Sequence, residues 1–254
     1  MIFAVDVGNT NITCALFEGE KIIDSIRLNT QTPRTSDEYG MLMYEMILRQ
    51  QAEGKVEGAI IASVVPKVMH ALKGGIIKYL KVEPLIVGPG IKTGIKIDTP
   101  NPREIGADRI VDVVAAYTLY GGPTLVIDFG TATTYNLVHA DGRFNVGITA
   151  PGIKISAKAL WEDTAKLPEI EIAMPKSILA NDTIWSMQAG LMYGQVGATE
   201  YIINQVKKET GYDNMKVVST GGMGRLISKE TKLIDSYDID LTMNGLRIIY
   251  DKNR

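Results

Sequence analysis

The sequence holds one cysteine, Cys14, and two histidines, His70 and His139, in 254 residues. A lone thiol makes no intrachain disulfide and no cysteine cluster for zinc. Two histidines this far apart argue against a histidine metal site or a Ser-His-Asp triad. No apolar run nears the ~20 residues that cross a bilayer. Asp6 interrupts the first apolar run and no basic start precedes it, which argues against a signal peptide. A net charge of −2 leaves no electrostatic footprint for nucleic acid or an anionic membrane. The G-x-x-x-x-G-K-[ST] phosphate loop is absent. "GPGIKTG" at 88–94 misses the G-x-G-x-x-G spacing by one residue. "DFGT" at 128–131 has no H-R-D partner, which excludes a protein kinase. The class expected from these absences is a cytoplasmic α/β protein with neither a membrane nor a nucleic acid as partner.

The length suits one large domain or two medium ones. Strands are expected at 2–7, 11–17, 21–28, 58–66 and 84–88. Thr35 and Ser36 can cap a helix from about Asp37 to Ala52. A second helix, 67–80, is weakened by Gly74 and Gly75. Residues 88–105 are rich in glycine and proline and read as a long loop, a class that is usually functional or mobile. A helix over 106–120 follows. From Thr124 the plan repeats: a strand, a turn, strands to about 148, helices near 152–163 and 183–210, a strand at 215–219 and a helix after Gly221. The division expected is 1–117 and 118–254, two α/β domains on one plan. His70, His139, Trp161, Trp185 and the Met residues of 41–46 read as packing groups.

The repeat is sharpest in two stretches, "IFAVDVGNTNITCALFE" from Ile2 and "TLVIDFGTATTYNLV" from Thr124. Each is a strand ending in Asp, one residue, Gly, a Thr-rich turn and a second strand. Glycine lets a bulky anion approach the backbone N–H groups of such a turn, and Thr hydroxyls add donors. The Asp can hold a hydrated Mg²⁺ or a monovalent cation. Asp6, Gly8, Asn9 and Thr10 would form one jaw of a phosphate clamp, and Asp128, Gly130, Thr131 and Thr133 the other. Asp-x-Gly is also a common turn, and a single copy would not separate the two readings.

The duplicated hairpin resembles that of the actin-like ATPase and sugar-kinase superfamily. Within it, the chain is similar over nearly its whole length to type III pantothenate kinases. "DVGNTNI" at 6–12, "SVVP" at 63–66, "NPREIGADR" at 101–109, "DFGTATT" at 128–134, "APG" at 150–152, "SMQAG" at 186–190 and "TGG" at 220–222 carry the resemblance, in order. The fold implied is α/β: two tandem ribonuclease-H-like (actin-like ATPase) domains, mixed sheets flanked by helices. The reaction implied is phosphorylation of pantothenate by ATP to 4'-phosphopantothenate, the first step of coenzyme A biosynthesis, in a homodimer.

The resemblance also implies roles. Asp6, Val7, Gly8, Asn9, Thr10, Asn11, Ile12, Thr13, Thr131, Gly221 and Gly222 would bind ATP. Asp6 would hold Mg²⁺, through water, and Asp128 a monovalent cation, K⁺ or NH₄⁺. Gly106, Ala107, Asp108, Arg109 and Thr183 would bind pantothenate, with Asp108 the general base that an alcohol nucleophile needs. An acid in the first turn of a helix also complements its dipole, by about 0.3–1 kcal/mol, and spacing alone does not choose between these. Arg109 suits the carboxylate of pantothenate, or an ion pair along its helix. Thr183 reads equally as the N-cap of the long helix. The family usually carries an aromatic residue two before "NP"; here that position is Thr99. The alternatives are a non-catalytic regulatory relative or a kinase of another small molecule.

Overall fold

The computed structural model describes all residues, Met1–Arg254. The chain forms two compact units, Met1–Thr118 with Asp240–Arg254, and Leu119–Ile239.

In the first unit, β1 (Ile2–Val7), β2 (Asn11–Glu18) and β3 (Lys21–Asn29) form an antiparallel meander. β4 (Gly58–Ser63) pairs parallel to β1, and β5 (Pro84–Ile86) parallel to β4, giving the order β3-β2-β1-β4-β5. β1 is buried along nearly its whole length, as the apolar run Ile2–Val5 ahead of Asp6 requires of a central strand covered on both faces. One face carries α1 (Ser36–Arg49) and α2 (Pro66–Gly75); Phe3, Val5 and Leu16 pack there against Met43, Met46 and Leu72. The other face carries α3 (Ala107–Tyr120) and α7 (Leu241–Asp251), where Ala4 and Ile60 meet Val111, Val114, Leu246 and Ile249.

α1 begins as the sequence predicts. Thr35 is the N-cap and forms a reciprocal capping box with Glu38, an arrangement worth about 1 kcal/mol. The 67–80 helix differs from expectation. It starts at Pro66 and runs as α-helix to Gly75, then widens into a π-turn over Ile76–Leu80. Gly75 is a contact glycine there: a Cβ on it would sit 2.7 Å from the Ser36 carbonyl oxygen and 2.9 Å from the Gly40 nitrogen of α1. The strand expected over 58–66 stops at Ser63, because Pro66 already occupies the first turn of α2.

The second unit repeats the plan. β7 (Thr124–Phe129), β8 (Ala132–Val138) and β9 (Arg143–Pro151) form the meander. β10 (Lys216–Thr220) pairs parallel to β7, and β11 (Ser236–Tyr237) parallel to β10. Even the bulges match: one falls between Leu16 and Phe17 of β2, the other between Leu137 and Val138 of β8. α4 (Ile153–Glu162), α5 (Thr183–Thr210) and α6 (Gly224–Ser228) accompany this sheet. Leu125, Ile127 and Tyr135 pack against Met192, Val196 and Ile203 of α5. The 88–105 segment of the first unit holds the two-residue strand β6 (Lys96–Ile97) and a short 3₁₀ turn at Pro102–Glu104.

The sequence-based division assigned 118–254 to one domain. The contacts divide the chain differently, because α7 packs with β1 and β4. Two glycines make that packing possible. A Cβ on Gly245 of α7 would run into the Val111 carbonyl of α3, and the Tyr250 phenol occupies the space beside Gly58.

Candidate active site

The first hairpin tip follows from its register. Asp6 lies opposite Thr13 and Val7 opposite Ile12, and the Gly8 N–H then donates to the Asn11 carbonyl at 3.0 Å. The turn leaves Asn9, Thr10 and Asn11 exposed. Val7 and Ile12 are fully buried, so only their main chains face the tip. β3 braces the turn from behind: Thr30 donates its hydroxyl to the Gly8 carbonyl at 2.8 Å and its N–H to the Thr10 carbonyl at 3.0 Å. Burial, and secondly the Asp6 charge, push the Cys14 thiol up to about 12. That thiol stays protonated and is no nucleophile.

Asp108 sits one β-strand away from this tip. The Val64 N–H donates to the Val7 carbonyl at 3.1 Å, which sets the end of β4 beside the end of β1. A Cβ on Gly106 would lie 3.4 Å from the Val64 side chain and would collide with the Asp108 carboxylate. Gly106 therefore clears the space that the carboxylate fills. The Asp108 carboxylate accepts the Arg109 N–H at 2.8 Å. Burial raises its pKa; the Arg109 N–H and guanidinium pull the other way, and burial dominates. The Arg109 guanidinium is pulled down by burial and pushed back up by Asp108, and stays a cation. Asp108 is thus a half-buried carboxylate with a raised pKa beside an arginine.

The second tip follows the same plan with a turn one residue shorter: Asp128 lies opposite Thr134 and Phe129 opposite Thr133, and the Gly130 N–H donates to the Ala132 carbonyl at 3.2 Å. Its surroundings are closer. A Cβ on Gly130 would come within 2.9 Å of the Asp128 carboxylate, and one on Gly221 would collide with it. Gly221 has φ +86°, a conformation that glycine adopts without strain. A Cβ on Gly152 would strike the Thr131 carbonyl, so the start of α4 lies directly against this tip. Gly221 and Gly222 thus come together with Asp128 in one unit. Thr133 departs from expectation. It is fully buried and its hydroxyl has no partner, so it cannot line the exposed tip. Carboxylate oxygens are the donors that hard cations take, so Asp6 and Asp128 have the right chemistry for one, and the Asp128 carboxylate fills the space that side chains on Gly130 and Gly221 would take.

Thr183 is elsewhere in the second unit. It is the first residue of α5; the N-cap is Asp182, whose carboxylate accepts the Trp185 N–H at 2.8 Å. The capping alternative for Thr183 is thus corrected by one residue, since the cap must precede the first helical turn. Thr183 and Ser186 line a groove of about 820 Å³ with Ser156 and Leu160 of α4. α4 therefore connects the second tip, at Gly152, with this groove. Two supporting residues escaped the sequence reading, Thr30 and Asp182, while Gly152 stood in the "APG" stretch with no role assigned to it. Only Asp182 carried a local signal, as an Asp three residues before the Trp185 N–H it caps.

Comparison with known proteins adds the family. The family model described as type III pantothenate kinase matches residues 2–205. A type III pantothenate kinase from Agathobacter rectalis is 64% identical over 253 residues, covering 99% of this chain and 97% of that protein. One from Bacillus cytotoxicus is 46% identical over 254 residues, covering 100% and 97%. Among solved structures, the ROK hexokinase from Thermus thermophilus matches with a TM-score of 0.54 at 11% identity, covering 100% of this chain and 99% of that one. The activator of 2-hydroxyisocaproyl-CoA dehydratase from Clostridium difficile, solved with bound ADPNP, matches with a TM-score of 0.55 at 11% identity, covering 99% and 94%. The structural likeness supports the α/β fold of two mixed sheets flanked by helices, and the sequence matches establish that this chain belongs to the type III pantothenate kinases.

Proposed function

We propose that this chain transfers the γ-phosphoryl group of ATP to the primary hydroxyl of pantothenate, giving 4'-phosphopantothenate, the first step of coenzyme A synthesis, with Asp108 as general base. The observation that carries the assignment of the base is the placement of Asp108 against the end of β4, with its pKa raised by burial. The carboxylate takes the hydroxyl proton as the alcohol oxygen bonds to phosphorus and ADP leaves. Arg109 holds the pantothenate carboxylate. The amides of Asn9 and Thr10, together with Asn11 and Thr13, donate to phosphate oxygens, as does Thr131. Gly221 and Gly222 present flat backbone to the adenosine. Asp6 holds Mg²⁺ through water, and bound Mg²⁺ neutralises charge on the phosphate oxygens. Asp128, in its glycine cradle, holds K⁺ or NH₄⁺. A cytoplasmic location goes with this reading.

The test is a coupled assay with pantothenate, ATP and Mg²⁺, with and without K⁺, on the unaltered enzyme and on Asp108→Asn. Turnover is expected to need both ions and to fall about 10²–10⁴-fold in the variant, the range for a lost general base. Near-normal turnover in Asp108→Asn removes the base. The pH dependence has a definite sign. The base works as a carboxylate, so activity fails as pH drops through the raised pKa, above the range of an exposed Asp. A raised pKa in the folded state also makes the ionised form costly to fold. Its favourable contribution is present below the unfolded pKa and gone above the folded one. Asp108→Asn is therefore expected to keep or raise the melting temperature at pH 7.5 while activity collapses.

A homodimer is part of the proposal. Thr183, Ser186, Gly190, Gly194, Gly197 and Tyr201 share one exposed stripe of α5, at the 3–4-residue spacing of a helix face. Open space surrounds a Cβ at all three glycines. Each interior helix glycine costs about 1 kcal/mol against alanine, and nothing inside the protomer requires them. A second copy packed closely on the stripe would. Light scattering on Gly194→Leu should then show monomer where the unaltered protein is dimeric; an unchanged mass rejects this face.

A further inference from the structure

We infer that Asn253, the penultimate residue, is a positioning residue that fastens the 88–105 segment leading into Asp108; this rests on the reading of Gly106–Arg109 as the pantothenate site. Its side-chain amide pairs with both main-chain groups of Lys92. The Lys92 N–H donates to Asn253 Oδ1 at 3.0 Å, and Asn253 Nδ2 donates to the Lys92 carbonyl at 2.8 Å. The same Nδ2 donates at 2.7 Å to the Ile249 carbonyl of α7. One amide thus imitates a strand partner for the segment and closes the last turn of the helix. Only a side chain with a donor and an acceptor on one planar group can do this.

The neighbouring contacts act in the same direction. Ile91, Ile95, Ile97 and Ile105 pack on the cluster that contains Met243, Leu246 and Ile249 of α7. Gly94 has φ +80°, and a Cβ there would come within 2.8 Å of the Lys252 stem. Thr93 folds its hydroxyl onto the Ile95 carbonyl at 3.2 Å, which turns the chain just past the clamp. Its isoleucines therefore rest on the cluster that α7 shares, and the amide of Asn253 fixes Lys92 to that helix. A shift there displaces the segment that ends at Gly106, whose missing side chain clears the space the Asp108 carboxylate fills.

Asn253 touches no reacting atom, so its effect must appear as a split between substrates. Asn253→Ala should raise KM for pantothenate about five- to tenfold, the worth of one or two net hydrogen bonds. KM for ATP should stay within about twofold, while kcat falls with the displacement of Asp108 beside Gly106. Asn253→Gln, which keeps the amide on a longer stem, should recover part of the loss. Amide exchange, read alongside, should speed up in Asn253→Ala from Lys92 through Ile105. A pantothenate KM unchanged within twofold, or a matching rise for ATP, overturns the inference. So does faster exchange confined to Lys92. If the unaltered enzyme fails to phosphorylate pantothenate, the functional reading falls instead, and the exchange measurement alone decides whether Asn253 fastens the segment.

Discussion

The two hairpin tips share a strand-turn-strand plan and differ in turn length, the second being one residue shorter, and in what encloses them. At the first, Asp6 is followed by a turn with exposed residues Asn9 and Thr10, braced from behind by Thr30. At the second, Asp128 is confined on two sides by Gly130 and Gly221, and the turn carbonyls are pressed by Gly152. One backbone plan thus gives two different surroundings for its Asp. An open turn presents N–H groups to an anion. An enclosed carboxylate suits a small cation, which needs oxygen ligands held in place. Duplication supplied the scaffold, and the glycines around it set the difference.

Glycine-to-alanine exchanges are the most severe way to break this comparison. At Gly221 the added methyl would collide with the Asp128 carboxylate and approach the Phe129 backbone to 2.7 Å, and φ is +86°. Left-handed strain and overpacking together cost about 3 kcal/mol or more, so Gly221→Ala should show a clear loss in chemical denaturation. At Gly8 the nearest atom to the methyl is the Asn11 carbonyl oxygen at 3.3 Å, and φ is not in the left-handed region. Gly8→Ala should cost less than about 1 kcal/mol, with its main effect on ATP binding. Equal losses at the two glycines would remove the contrast between an open and an enclosed tip.

This contrast marks the limit of what the sequence disclosed. Both tips were legible because strand, Asp-x-Gly turn and strand are local patterns, and their repetition exposed the shared sheet order. Asp108 and Arg109 stood out through the "GADR" resemblance, and the structure adds the burial that raises the Asp108 pKa. Contacts distant in sequence stayed hidden. α7 looks like an ordinary continuation of the second half, yet it packs on β1 and β4, more than 170 residues earlier. Gly245 in mid-helix was the only local sign of that close approach. Gly74 and Gly75 were visible but ambiguous: a helix-weakening residue and a close-packing residue are the same letter. Thr133 misled because its letter matches a phosphate-binding threonine, while strand alternation turns it into the core.

The mildest test concerns the brace behind the first tip. Thr30 is 3% exposed, and its hydroxyl is held on the Gly8 carbonyl. Thr30→Val keeps the volume and removes the donor, so one buried carbonyl loses its side-chain partner. The cost should be about 1 kcal/mol, near the resolution of a denaturation curve. The informative quantity is where the remaining effect falls. Thr30 reaches the tip only through the turn, and its N–H bond to the Thr10 carbonyl survives the exchange. If that turn binds phosphate, KM for ATP should rise modestly while KM for pantothenate stays within about twofold. A rise in pantothenate KM with ATP unaffected would mean that the first tip serves the other substrate, and the chemical division between the tips would have to be redrawn.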